Sequence, residues 1–169
     1  MAFIERFLGV CVEVPDDHFY CTKPGLWAKA DGQEIIFGLS HPALVLAGGL
    51  NDLDWLVPQG HSVREGETVL FAITGKILYI DSPVEGTIHF NTDVKGSPAL
   101  ISKYPYGQGW LFRIRPHLEP ARVLEGLVDA SGYIESLKGT EGDKNPEGLK
   151  GGVSGICKAV YTGIREQKI

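Results

Sequence analysis

The stretch "FAITGKILYIDSPVEGTI", Phe71 to Ile88, decides how the chain is read. Val69 to Ile73 and Ile77 to Ile80 are apolar runs of strand length, and "SPVEG" marks a turn before a further strand, "TIHFN". The two runs are separated by Thr74, Gly75 and Lys76. "Ile73-Thr74-Gly75-Lys76" reads as a tight two-residue turn with Gly75 at positive φ, which makes Lys76 the first residue of the return strand. Val69 to Ile73 are apolar on both faces, so the hairpin calls for a cover.

Working outward, the same strand-and-turn texture continues on both sides. Two aromatic-rich pieces in "HFYCTKPGLWAKADGQEIIFGLS" are broken at Pro24-Gly25 and Ala30-Asp31-Gly32, giving two or three strands. "HPALVLAGGL" reads as a short helical turn, "LDWLVPQG" as another strand, and Trp110 to Arg115 as one more. After Pro116 the period changes. Val123, Leu124, Leu127 and Val128 have helical spacing, and Asp129 and Ser131 can open a second short helix carrying Tyr133, Ile134 and Leu137. With 22 glycines and 10 prolines in 169 residues, the class is mainly β with C-terminal helices.

Three segments are expected: a lead-in over residues 1–17, the main domain with its helical cap over 18–139, and a linker with a C-terminal amphipathic helix over 140–169. "TEGDKNPEG" is polar and reads as a mobile linker. Val153, Ile156, Cys157, Val160 and Ile164 then fall on one helical face.

Charge and composition exclude several functions. The net charge of −5 comes with no clustered Lys and Arg, which argues against nucleic acid. No apolar run reaches membrane-spanning length, and the N-terminus lacks a signal-peptide shape. Three cysteines, Cys11, Cys21 and Cys157, give no disulfide framework and suggest a reducing cytoplasm. "CVEVPDDHFYC" gathers Cys11, Asp16, Asp17, His18 and Cys21, but without a CxxC pair it reads as a structural loop, and no metal is assigned. His41, His61, His89 and His117 are scattered, and no catalytic constellation stands out.

Three pieces together resemble the glycine cleavage H-protein family: "FYCTKPGLWAKADGQEIIFGLS", the hairpin running into "SPVEGTIHFN", and "GSPALISKYPYGQGWLFRIRP" before a helical pair. The resemblance covers Phe19 to Lys138. It implies a barrel-sandwich hybrid of the lipoyl/biotinyl-carrier type with a helical cap. It also implies a carrier, not a catalyst, whose lipoyl-lysine passes an aminomethyl unit among the glycine cleavage enzymes. On that resemblance Lys76 is the attachment site. It lies ten positions after Gly66, as the family's lysine does, but seven before Pro83 where the family leaves eight. The family's glutamate three before the lysine is Ile73 here, the acidic residue after it is Ile80, and a histidine before the tryptophan is Gly25. The reading that follows is a degenerate member without lipoyl or other cofactor, acting as a binding or scaffold module toward protein partners. The alternative is a working carrier, lipoylated on Lys76 by a lipoate ligase and serving the glycine cleavage enzymes. A biotin carrier is disfavoured because the only methionine is Met1.

Overall fold

The computed structural model describes residues 2–149, and the expected amphipathic helix of the C-terminal segment lies outside the described residues. Within them, eleven strands and six short helices are arranged as three sheets. A six-stranded antiparallel sheet is built from β3 (Phe19–Cys21), β4 (Leu26–Asp31), β5 (Glu34–Leu39), β11 (Phe112–Pro116), β10 (Gly86–Phe90) and β7 (Ser62–Val63), in that spatial order. Facing it is a three-stranded sheet, β6 (Asp52–Trp55), β8 (Thr68–Ile73) and β9 (Ile77–Asp81).

Alternation along the strands builds the core between these sheets. Leu26 and Ala28 of β4, Ile35 and Phe37 of β5, Ile88 of β10, and Phe112 and Ile114 of β11 meet Leu53, Leu70, Ala72 and Ile80 from the smaller sheet, all buried. The helix α1 (His41–Ala47) closes one side. Ser40 caps it by accepting from Ala43 N–H at 3.2 Å, and Gly48 ends it in the left-handed conformation. Helices α2 (Thr92–Gly96) and α3 (Ala99–Lys103) fill the connection between β10 and β11. The helical cap is α4 (Pro120–Glu125) and α5 (Ala130–Ser136), the latter capped by Asp129, whose Oδ1 accepts from Gly132 N–H at 2.8 Å.

Both ends of the described chain carry more structure than the sequence specifies. The lead-in is an antiparallel hairpin, β1 (Ala2–Phe7) and β2 (Val10–Val14). Its Phe7, Val12 and Val14 join Tyr20, Trp27, Ala130, Tyr133 and Leu137 in a second buried cluster, so the N-terminus is part of the packed fold. The segment read as a mobile linker is docked over its described part. It forms α6 (Glu141–Lys144), which packs against α1 and β1. Gly9 N–H donates to the Pro146 carbonyl at 2.7 Å, and Asn145 clasps Leu149 through its Oδ1 at 3.0 Å from Leu149 N. Non-local packing thus orders a stretch whose composition alone reads as loop.

Candidate functional site

Ile73 pairs with Ile77, so the loop joining β8 and β9 is the three residues Thr74, Gly75 and Lys76. This corrects the expected two-residue turn: Lys76 belongs to the loop, and Gly75 is not among the glycines with positive φ. Thr74 fastens the loop from inside. It is buried, its N–H and its hydroxyl both donate to the Lys76 carbonyl at 2.8 and 2.9 Å, and its Oγ1 accepts from Lys76 N–H at 3.2 Å. The Lys76 side chain is exposed and makes no ion pair among the described residues.

The spacing conflict has a structural solution at the base of the hairpin. Thr68 pairs with Asp81 and Leu70 with Ile80, so β8 carries one residue more than β9 across that interval. This bulge at Val69 takes up the residue missing from the return strand. Val69 and Leu70 are both fully buried, as the broken alternation requires. Thr68 Oγ1 donates to Asp81 Oδ1 at 2.6 Å below it.

Around Lys76 the surface is apolar. Ile73 is 40% exposed, Ile77 54% and Tyr79 59%, and Tyr79 lies beside Phe71, to which it is paired. Acidic groups stand further back, at Asp52 and Asp54 on β6 and Asp81 on β9. Asn51 N–H donates to the Ile73 carbonyl at 2.8 Å, which ties the hairpin to the chain leaving α1.

Gly25 is a position where only glycine fits. Its φ is 107°, and a Cβ there would stand 2.6 Å from the Tyr133 hydroxyl and 2.9 Å from Ala43 Cβ. The Tyr133 hydroxyl hydrogen-bonds Ser40 Oγ at 2.5 Å in that space. Burial pushes the Tyr133 phenol up to about 12.

The other residues singled out from sequence do not converge. Cys11 is exposed on β2, while Cys21 ends β3. His18 is buried, its Nδ1 2.7 Å from Asp17 Oδ1, its ring edge-on to Trp27 and Tyr106, and its Nε2 without a hydrogen-bond partner among the described residues. Burial holds the imidazole below the usual histidine range, while the bond to Asp17 opposes that shift. Among the described residues no group of three or more His, Cys, Asp or Glu is placed to hold a metal. A cleft of about 390 Å³ at the hairpin base is lined by Cys21, Lys23, Glu65, Asp81 and Leu127. Burial pushes the Cys21 thiol up to about 12, so it stays protonated and a poor nucleophile. No helix of the described residues is long and apolar enough to cross a membrane.

Comparison with known proteins gives this architecture its relatives. The family model described as glycine cleavage H-protein matches residues 19–140. The glycine cleavage system H protein of Thermus thermophilus is 33% identical over 129 residues, covering 75% of this chain and 98% of its own length. The glycine cleavage system H protein 5 of Aquifex aeolicus is 32% identical over 134 residues, covering 75% of this chain and 88% of its own. The crystal structure of a glycine cleavage system H protein from Mycobacterium marinum superposes with a TM-score of 0.61 at 27% identity, covering 72% of this chain and 97% of that one. With the matched region running from β3 through the helical cap, the chain belongs to the glycine cleavage H-protein family.

Proposed function

We propose that the protein is a lipoyl carrier with Lys76 as the attachment residue, working by presentation to partner enzymes and not by catalysis of its own. The observation that carries this reading is the position of Lys76, exposed in a three-residue loop at the far end of a hairpin. A side chain there can enter a partner's active site without moving the core. The fit of the group rests on three features. The amine is accessible, the loop backbone is held by Thr74, and the bulge at Val69 sets the lysine at the tip despite the shorter return strand.

A lipoyl group bound there by an amide would supply a pair of sulfurs able to take up an aminomethyl unit. The chain's own contribution is positional. The β6–β8–β9 sheet holds the hairpin rigid against the core, and Asn51 anchors its rim through the Ile73 carbonyl.

A second reading, a non-lipoylated binding module, is favoured by Ile73, Ile77 and Tyr79, an apolar surround where the family has acids. The two separate in a charging assay. Protein incubated with lipoate, ATP and a lipoate ligase, the activated lipoyl carboxyl joining the lysine amine with release of AMP and pyrophosphate, is offered with glycine to the glycine decarboxylase of a related system. The carrier reading expects glycine-dependent release of carbon dioxide that Lys76→Arg abolishes. A treated wild type as inert as the variant favours the binding module.

A further inference from the structure

The outward face of the β6–β8–β9 sheet leaves Phe71, Ile73, Ile77 and Tyr79 side by side, three of them strongly exposed. They are rimmed by the carboxylates of Asp52, Asp54 and Asp81. A contiguous apolar patch bounded by charge is the usual mark of a surface that something covers. Residues 150–169 carry complementary chemistry. They hold Lys150, Lys158, Arg165 and Lys168 against the single acid Glu166, a net charge of +3 that leaves the remainder of the chain at −8. Val153, Ile156, Val160 and Ile164 recur in them at helical spacing.

Position and length agree with the chemistry. The described chain ends at Leu149, held by Asn145 beside α6. Helix α6 packs on α1, and the chain leaving α1 is bonded to the hairpin through Asn51 and Ile73. Two neighbouring elements therefore separate the last described residue from the patch, on the order of 20 Å at usual packing distances. Twenty residues span about 30 Å even when fully helical.

We propose that residues 150–169 pack across the outward face of the β6–β8–β9 sheet, laying Val153, Ile156, Val160 and Ile164 over Phe71, Ile73, Ile77 and Tyr79. The docked segment excludes water from the patch and sets its basic residues against Asp52, Asp54 and Asp81.

Cys157, within the segment, provides the test. In the full-length chain with Cys11→Ser and Cys21→Ala, a second cysteine is introduced by Tyr79→Cys on the patch, or by Glu85→Cys at an exposed position off it. Oxidation forms a disulfide between the two thiols, an external disulfide such as oxidised glutathione taking up the two electrons. Docking raises the local thiol concentration, so Tyr79→Cys crosslinks within one chain about tenfold faster than Glu85→Cys. Val160→Asp removes that difference. Equal rates at the two positions, or no intramolecular crosslink at Tyr79→Cys, overturns the proposal. A crosslink between chains that grows with protein concentration also overturns it and assigns the face to a second copy. None of these readouts depends on lipoylation, so failure here leaves the carrier reading intact. Conversely, an unmodified Lys76 does not disturb the docking result.

Discussion

Single residues hold the features that depart most from the family's pattern. At Gly25 the positive φ and the Tyr133 hydroxyl together exclude any side chain. Gly25→Ala should therefore cost at least ~1 kcal/mol in denaturant unfolding, because it strains the backbone and breaks into the Ser40–Tyr133 hydrogen bond. A variant as stable as the wild type would show that the space is not filled as described. His18 gives a pH prediction. Its folded pKa lies below the ordinary value of about 6.5 because burial penalises the imidazolium. The unfolded chain then binds the proton first as pH falls, so the stabilisation is full above that value and declines as pH drops from it toward the folded pKa. Asp17 favours the charged ring through its hydrogen bond and its charge, so Asp17→Asn should lower the folded pKa of His18 further and widen that window. Histidine titration by NMR checks both statements; a His18 resonance that titrates higher in the variant contradicts them.

At the scale of elements, the hairpin and its lysine were legible, whereas the loop was not. Apolar runs and "SPVEG" specify two strands and a turn, but nothing in "ETVLF" distinguishes an ordinary strand from one with a bulge, because Val69 and Leu70 are apolar in either case. A register count from one end therefore disagrees with the count from the other until the bulge is seen. The β1–β2 hairpin was hidden for a different reason. Its two-residue turn is Leu8-Gly9, with φ of 51° and 78°, and leucine is a residue that such turns seldom take at the first position. The docking of α6 depends on Gly142, which allows the Phe7 ring to lie directly against the helix. Gly142→Ala should destabilise the protein by about 1–3 kcal/mol by overpacking that contact. Amide exchange of β1 and α6 should rise first, since these elements share the contact. Unchanged exchange in β1 would mean that the two elements are not coupled through Phe7.

The whole molecule joins two packed units around one displayed residue. The sandwich core between the two larger sheets holds the hairpin in place, and the second cluster locks the N-terminal hairpin and the cap helices to the six-stranded sheet. The strand content, the helical pair and the family's outline could be read from the sequence, because alternation, helical spacing and turn residues are local signals. The closure of the two ends could not, because it rests on contacts between residues 141–148 and residues 6–9 that lie far apart in the chain. On the proposed carrier function, Lys76 is a modification site and not only a loop residue. The most direct measurement is the intact mass of the protein expressed with lipoate and a lipoate ligase, followed by peptide mapping. One lipoyl adduct is expected, mapped to Lys76 and lost in Lys76→Arg. An unmodified chain, in cells where an ordinary family member is fully lipoylated, would contradict the proposed function.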